Sequence, residues 1–360
     1  MKQKYTVLRT IVIAITALLL AACGVQPVKK EHDSVFYPAL PQQPRVQYLT
    51  TINTQGDLGG KKGMDNFLGN PEDVRNRLLR AYAVAHEKDF IYVVDAKFKK
   101  IVTIDLKKGT MGFFPSQRMG LLREPMGIFV DADGSKYVAD NGRGQVVVYN
   151  SKNEYLRTYG TPEQYKLTDV AVYGERVYIA NNQAHEIVVL DKTSGEVVQR
   201  IGSKGTEDGK FRFPSFITVD KDGNLFVTDP LNFRVQMFSS SGEFIRSFGY
   251  PEAGPGGMVR PKSLAVTRDG KLYISDAGME IVQIFDVAST DPLLAFGKHG
   301  TGPGSTYMPY GIHIDYDNVA HFAQYADPEF KPEFLIYVVN HAGDDKLNVY
   351  AFGEWTGAKQ

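Results

Sequence analysis

The sequence is 360 residues long, and its 41 Lys and Arg residues balance its 41 Asp and Glu residues. Because affinity for nucleic acid depends on neutralising phosphates with basic side chains, this balance argues against a nucleic-acid partner. Cys23 is the single cysteine of the chain, which excludes an intrachain disulfide and a Cys-x-x-Cys-His motif for covalent haem attachment.

At the N-terminus, basic residues precede a short apolar run. Lys2, Lys4 and Arg9 come before the apolar residues 11–20, and Leu20-Ala21-Ala22-Cys23 ends the run. This order is typical of a secretory signal, and the run is well below the ~20 residues needed to span a bilayer. The Leu-Ala-Ala-Cys sequence resembles the bacterial lipoprotein box, which implies that residues 1–22 are removed and that Cys23 is acylated.

Acylation of Cys23 predicts a protein anchored to a membrane by lipid, because two or three acyl chains on one residue give stable anchoring. Gly24 stands where Asp retains enteric-type lipoproteins in the inner membrane, so we expect the outer membrane, with the folded part in the periplasm or at the cell surface. Apart from this covalent lipid, we predict no cofactor. Residues 23–45 contain four prolines, which predicts a flexible, extended tether.

A pattern of about 45 residues recurs along the rest of the chain. Each copy has two alternating apolar runs, and in the clearest copies Asp-Gly joins them, a dipeptide that favours the tight turn of an antiparallel hairpin. Two further apolar runs follow each hairpin. Four short strands in about 40–50 residues are typical of one blade of a β-propeller. The clearest hairpins occupy residues 128–140, 217–229 and 264–276.

An Asp or Asn ends the second strand of each repeat and marks its register. The sixth repeat contains an insertion at residues 317–332 and lacks a fourth strand at its end, whereas Val46–Ile52 reads as a fourth strand without a blade. We therefore predict an all-β, six-bladed propeller over residues 46–355, closed by its N-terminal strand, and a short tail at residues 356–360. We expect the register residues to bind backbone amides rather than a cation. They are Asp95, Asp140, Asn181, Asp229, Asp276 and Asn340.

These repeats resemble the NHL-repeat family of six-bladed propellers. The clearest match is residues 214–238, with Asp229, Asn232, Arg234 and Gln236 at the positions that the family pattern favours. Blades one, three and six depart from that pattern. The resemblance implies that functional groups gather at one mouth of the central channel, in the loops between strands two and three and between blades.

Three histidines are candidate metal ligands, because some relatives in this fold are metal-dependent lyases or hydrolases. His185 and His341 are expected in loops between strands two and three, and His313 on the first strand of blade six. His313 stands out because its predicted counterparts, among them Ala83 and Ala171, are mostly small. A lone histidine among strands is also common as a hydrogen-bonded core residue, so both interpretations are open.

Two further groups of residues suggest binding surfaces. Three arginines precede, by one or two positions, the prolines that open blades: Arg123, Arg212 and Arg260. If the loops that carry them converge, these side chains form a basic rim for an acidic ligand or partner. Scattered, solvated charges are the alternative.

The insertion in blade six carries Phe322, Tyr325 and Phe330 and is expected on the opposite face. These aromatic side chains form either a self-packed plug or a docking surface.

The sequence shows no nucleophile with a positioned base, no phosphate-binding loop and no paired acid–base motif. We therefore predict a membrane-anchored, NHL-type propeller that acts as a non-catalytic scaffold for protein partners in the bacterial cell envelope. The alternative is a metal-dependent lyase or hydrolase with its site at the channel mouth.

Overall fold

The computed structural model describes residues 34–58, 76–115 and 120–357. The predicted signal peptide, Cys23, residues 24–33 of the predicted tether and residues 358–360 of the predicted tail lie outside these ranges. Among the described residues, no helix combines the length and the apolar composition required to cross a bilayer.

The described chain forms six antiparallel sheets that follow one another in sequence. Five sheets have four strands each, namely β3–β6, β7–β10, β11–β14, β15–β18 and β19–β22, and the sixth contains β23, β24, β25, β2 and β1. The prediction of an all-β, six-bladed propeller is confirmed. In chain order the strands are β1 (Phe36–Tyr37), β2 (Val46–Ile52), β3 (Ala81–Glu87), β4 (Phe90–Asp95), β5 (Lys100–Asp105), β6 (Thr110–Phe114), β7 (Pro125–Val130), β8 (Lys136–Asp140), β9 (Gln145–Tyr149), β10 (Tyr155–Tyr159), β11 (Leu167–Tyr173), β12 (Arg176–Asn181), β13 (Glu186–Asp191), β14 (Val197–Ile201), β15 (Ile217–Val219), β16 (Leu225–Asp229), β17 (Arg234–Phe238), β18 (Phe244–Phe248), β19 (Pro261–Val266), β20 (Lys271–Asp276), β21 (Ile281–Asp286), β22 (Pro292–Phe296), β23 (Pro309–Asp315), β24 (Phe330–Asn340) and β25 (Leu347–Trp355).

The last blade is closed by the N-terminal strand, as predicted. β2 pairs antiparallel with β25, with Tyr48 opposite Tyr350 and Ile52 opposite Leu347. The insertion in this blade contains one short helix, α1 (Val319–Phe322), followed by the 3-10 turn Ala323–Tyr325. Because strands from both ends of the described chain share one sheet, the ring closes without a covalent link.

Part of the predicted tether is folded. β1 pairs with β2 through Phe36 and Gln47, and Phe36 is only 8% exposed because its ring packs 5.2 Å from Trp355 and 6.0 Å from Phe330. The compact unit begins at Val35, so the tether prediction is wrong for the residues that follow it. The prolines were interpreted as a sign of an extended tether. Proline is also tolerated next to a short edge strand, because the outer side of such a strand makes no hydrogen bonds to another strand.

The register residues bind backbone amides, as predicted. The carboxylate of Asp276 accepts four N–H groups, from Val259, Arg260, Gly278 and Met279, over N–O distances of 2.8 to 3.0 Å. The first two amides belong to the loop that enters blade five, and the last two belong to the loop between its second and third strands. The carboxylates of Asp95 and Asp140 likewise accept amides from both loops, so in these three blades the register residue holds the two loops together on one face of the propeller.

Adjacent blades pack through the apolar faces of their sheets. Between the first and last blades, Ile91 and Val93 share a buried cluster with Leu335, Tyr337 and Val349. This contact brings β3 and β23 side by side around the central channel. Both strands start at the face that carries the interblade loops and end at the opposite face.

Candidate functional site: the two ends of the central channel

The first strands of all six blades surround a narrow central cavity. Its volume is about 100 Å³, and its lining includes Ala85, Phe129, Asp169, Thr218 and His313. Ligand pockets for molecules of drug size are typically about 300–1,000 Å³. The interior of the channel is therefore too small for such a ligand.

A buried carboxyl group lies inside the channel. Asp169 Oδ2 accepts a hydrogen bond from the backbone N–H of Ile217 at 3.0 Å. Burial raises the pKa of Asp169 to about 7, although bonds from backbone amides act in the opposite direction. A Cβ at position 127 would lie 2.1 Å from Asp169 Oδ1, which explains why Gly127 occupies the neighbouring strand.

Replacing Asp169 with Asn should change the pH dependence of stability. The pKa of about 7 in the folded state exceeds the unfolded value of about 3.9, so the wild type is most stable below about pH 3.9 and loses stability up to about pH 7. Asn does not titrate. The difference in free energy of unfolding, variant minus wild type, should therefore be about 2.5 kcal/mol larger at about pH 8 than at about pH 5. Urea denaturation at both pH values measures this difference, and an equal difference at both would contradict it.

At the face that carries the interblade loops, aromatic rings gather over the end of the channel. The ring of Tyr310 lies 4.6 Å from His341, in a stacked arrangement, and 4.9 Å from Tyr82. Tyr82 also stacks on Phe216 at 5.7 Å. Lys262 Nζ lies 4.8 Å from the centre of the Tyr310 ring. We refer to these five residues as the loop-side mouth.

Positive charge is concentrated at the loop-side mouth. Burial lowers the pKa of Lys262, and the Arg260 guanidinium lowers it further. Burial also lowers the pKa of Lys346, although nearby carboxylates act in the opposite direction. The pKa of His341 is lowered first by burial and also by the charges of Arg80, Lys346 and Lys262. The cations in this region therefore raise one another's electrostatic energy.

The predicted basic rim lies on this face. The backbone amides of Arg123, Arg212 and Arg260 each bind the register residue of their own blade, and their side chains are exposed. Of the three, Arg260 is the one beside the loop-side mouth. Sequence reasoning missed Arg80, whose amide also binds a register residue, because Ala81 rather than proline follows it. Counting back from the register residue Asp95 to the start of the first strand of its blade would have identified Arg80.

The three predicted histidine ligands do not come together. His185 Nδ1 accepts a hydrogen bond from the amide of Phe213 at 3.0 Å, and its ring packs 4.4 Å from the Phe213 ring. His341 belongs to the loop-side mouth, and His313 contacts His86 toward the opposite end of the channel. The structure therefore does not bring the three candidate ligands His185, His313 and His341 together in one site.

A different cluster occupies the junction of blades one and six, at the far end of β3 and β23. His86 Nδ1 lies 2.7 Å from His313 Nε2. His86 Nε2 lies 3.1 Å from Asp315 Oδ1 and 3.3 Å from Asp317 Oδ2. Burial, and then the charge of the neighbouring His86, lower the pKa of His313 well below its usual range. We refer to these four residues as the junction cluster.

Sequence reasoning missed His86, although a signal was present. His86 pairs with Ile91, and the other blades have Val or Ile at the equivalent position. The same register pairs Ala85 with Tyr92, as His313 pairs with Tyr337, so the counterpart of His313 in blade one is Ala85 rather than Ala83. The first hairpin of blade one has a turn of only two residues, which shortens the spacing between its first strand and Asp95. The apolar equivalents of His86 are Val130, Val172, Val219, Val266 and Ile314.

The aromatic residues of the insertion are mostly buried. Phe322 is 2% exposed and Phe330 is 4% exposed, while Tyr325 is half-buried. Phe322 packs 6.2 Å from Tyr337 in the core of blade six. The prediction of a docking surface is therefore wrong for Phe322 and Phe330, and the self-packed alternative describes them, because their apolar area is already covered.

A larger groove lies on the loop-carrying face of blade six. Its volume is about 450 Å³, and Tyr307, Asp344 and Asp345 line it together with residues 300–303. Its charged side chains are acidic, in contrast to those of the loop-side mouth.

No protein-family model matches the chain. Among solved structures, a protein of unknown function from Bacteroides thetaiotaomicron superimposes with a TM-score of 0.60 at 16% identity, over 87% of this chain and 77% of that one. A streptogramin B lyase superimposes with a TM-score of 0.54 at 13% identity, over 86% of this chain and 98% of that one. A catalytically inactive histidine-to-alanine variant of Staphylococcus aureus virginiamycin B lyase, solved with quinupristin, gives 0.50 at 15% identity, over 76% and 80%. At these identities the similarity shows the propeller fold.

Proposed function

We propose that this protein is a lipid-anchored scaffold of the bacterial cell envelope that binds an acidic segment of a protein partner at the loop-side mouth. The observation that carries the proposal is the crowding of cations around aromatic rings, where burial and Arg260 together lower the pKa of Lys262. The anchor is acylated Cys23, and the resemblance to NHL-repeat propellers is consistent with a binding role.

The electrostatics of the mouth favour an anionic partner. A lowered lysine pKa means that its environment destabilises the charged form, and a carboxylate placed nearby would stabilise that form. Complementary charge also speeds association and selects among partners. The half-buried rings of Tyr82 and Tyr310 offer the aromatic contact area that is enriched at the centres of protein interfaces.

The geometry gives less support to the alternative, a metal-dependent lyase or hydrolase at the channel mouth. The virginiamycin B lyase variant that is catalytically inactive lacks one histidine. In this chain His185 accepts a hydrogen bond from the backbone N–H of Phe213. His341 stacks on Tyr310, and its buried Nδ1 has no hydrogen-bond partner among the described residues. We therefore favour binding over catalysis at this face.

Reversing charge at the mouth should abolish partner capture. We expect full-length chain with Arg80→Glu and Arg260→Glu, isolated in detergent from its native envelope, to retain less than a tenth of the partner held by the wild type. Both side chains are exposed, so the fold should be preserved. Quantitative mass spectrometry of the isolated complexes measures the loss.

The matched control is Lys221→Glu, an exposed charge reversal in the first hairpin of blade four, on the opposite face. It should leave capture unchanged. A partner retained by the double variant, or lost equally from the control, would contradict the proposed role of the mouth.

A further inference from the structure

The junction cluster has the donor atoms of a metal site. It lies at the end of the channel opposite the loop-side mouth and has no part in the proposed function. Within the described ranges, His86, Asp315 and Asp317 are the one group of three such side chains whose ligand atoms all lie within 4.8 Å of one another. We infer that these three residues bind a divalent transition-metal ion that joins the first blade to the last.

The separations between His86 and each of the two carboxylates suit such an ion. Zn²⁺ binds imidazole nitrogen at about 2.0–2.1 Å and carboxylate oxygen at about 2.0–2.2 Å, so neighbouring ligands of one ion lie roughly 3.0–3.4 Å apart. The distances from His86 Nε2 to Asp315 Oδ1 and Asp317 Oδ2 are 3.1 Å and 3.3 Å. One imidazole with two carboxylates is a mixed nitrogen and oxygen donor set, which suits Zn²⁺, Mn²⁺ or Fe²⁺.

The second ring nitrogen of His86 is also placed as a metal ligand requires. A metal-bound histidine nearly always donates its other ring N–H to an acceptor, which fixes its tautomer and orientation. His86 Nδ1 lies 2.7 Å from His313 Nε2. His313 Nε2 is therefore placed to accept this hydrogen bond from His86 Nδ1–H.

Hydrogen bonds to the oxygen that faces away from His86 fix the orientation of the Asp315 carboxylate. Its Oδ2 accepts hydrogen bonds from the Tyr337 hydroxyl at 2.6 Å and from Asn318 Nδ2 at 2.7 Å. Its Oδ1 accepts the backbone N–H groups of Asp317 and Asn318 and still faces His86. Preorganised, hydrogen-bonded carboxylates are typical of the surroundings of metal ligands.

The site is reachable from solvent, and its ligands span the closure of the ring. The Asp317 side chain is 59% exposed and that of His86 is 15% exposed, so an ion can enter and keep water as its remaining ligands. His86 belongs to β3 of blade one. Asp315 ends β23 of blade six, and Asp317 begins the insertion in the same blade. An ion held by all three therefore bridges the pair of blades whose contact closes the propeller without a covalent link.

The test uses full-length chain carrying an affinity tag without histidine, treated with chelator and then titrated with Zn²⁺. We expect calorimetry to show one equivalent bound with a Kd in the micromolar range or tighter, and Tm to rise by a few degrees when the site is saturated. Co²⁺ should bind at the same stoichiometry and develop the visible absorption of a coordinated ion.

Two variants separate ligation from folding. His86→Val installs a residue that other blades have at this position, and Asp317→Asn changes an exposed side chain, so both should fold. Each should weaken Zn²⁺ binding at least ~100-fold, since loss of a direct ligand should exceed the 10–100-fold effect of an outer partner. His299→Ala, which removes an exposed imidazole beside Glu280, should bind Zn²⁺ like the wild type.

A His86 ring that donates its Nε2–H to the two carboxylates would give the same distances without any metal. In that case Zn²⁺ would show no saturable binding, which would overturn the inference. Equal Zn²⁺ affinity in His86→Val and wild type would overturn it as well, and so would saturable binding of Mg²⁺ or Ca²⁺ without binding of Zn²⁺.

Discussion

A chain that begins at Asn53 should show no cooperative thermal transition, because it lacks the strand that closes the last blade. β2 lies between β1 and β25, and its side chains Val46 and Ile52 are almost fully buried. Removing it exposes the edge of β25 and its unpaired backbone groups. Burial of one large apolar side chain is worth about 1.5–3 kcal/mol, whereas whole domains are stable by only about 5–15 kcal/mol.

The matched control is a chain that begins at Ser34, which retains β1 and β2 but also lacks the predicted lipid anchor. It should unfold cooperatively with a Tm close to that of the full chain, because the compact unit begins at Val35. Differential scanning calorimetry compares the two truncated chains. A native transition in the chain that begins at Asn53 would contradict the closure described here.

The second large effect is expected for Asp276→Ala, which should lower the free energy of unfolding by about 4 kcal/mol or more. The substitution removes the acceptor of four backbone N–H groups at a fully buried position. Each buried donor left without a partner costs about 1–3 kcal/mol. Local rearrangement and water entry keep the total below the sum of four such losses.

Asp276→Asn is the control, since one amide oxygen can still accept hydrogen bonds from the loop. Blades three and six use Asn at this position, and Asn181 accepts the amide of Lys166 at 3.1 Å. The Asn variant should lose about half as much stability as the Ala variant. Urea denaturation of the three proteins measures both effects, and an Ala variant as stable as the Asn variant would show that the amide bonds contribute little.

The sequence was sufficient to predict the blades because their signals are local. Asp-Gly turns mark hairpins, and a buried Asp or Asn before the next turn marks the register of each blade. Val46–Ile52 was found because it has the composition of a fourth strand. Phe36–Tyr37 was not found, since two residues between prolines carry no periodicity, and its burial depends on contacts with Trp355, which is distant in sequence.

The functional ends of the channel were harder to predict, because their residues come together only in the ring. In three blades the pairing between the first and second strands shifts register near the loop-side mouth, and Tyr82, Lys262 and Tyr310 lie at these shifts. Residue spacing in the sequence does not reveal such a shift. His86 was overlooked because it stands one position after Ala85, the counterpart of His313 in blade one, and only the predicted counterparts of His313 were compared between blades. The sequence did not show whether the aromatic side chains of the insertion point toward the core or toward solvent, because their packing against the core of blade six determines this.

The proposal that the loop-side mouth is the binding surface can be tested most directly by position-specific photocrosslinking in living cells. A photoreactive amino acid at position 260 should give one discrete adduct with an envelope protein, and the same group at position 221, on the opposite face, should give none. The adduct at position 260 should disappear when Arg80→Glu is added. Absence of an adduct at position 260, or the same adduct from both positions, would contradict the account.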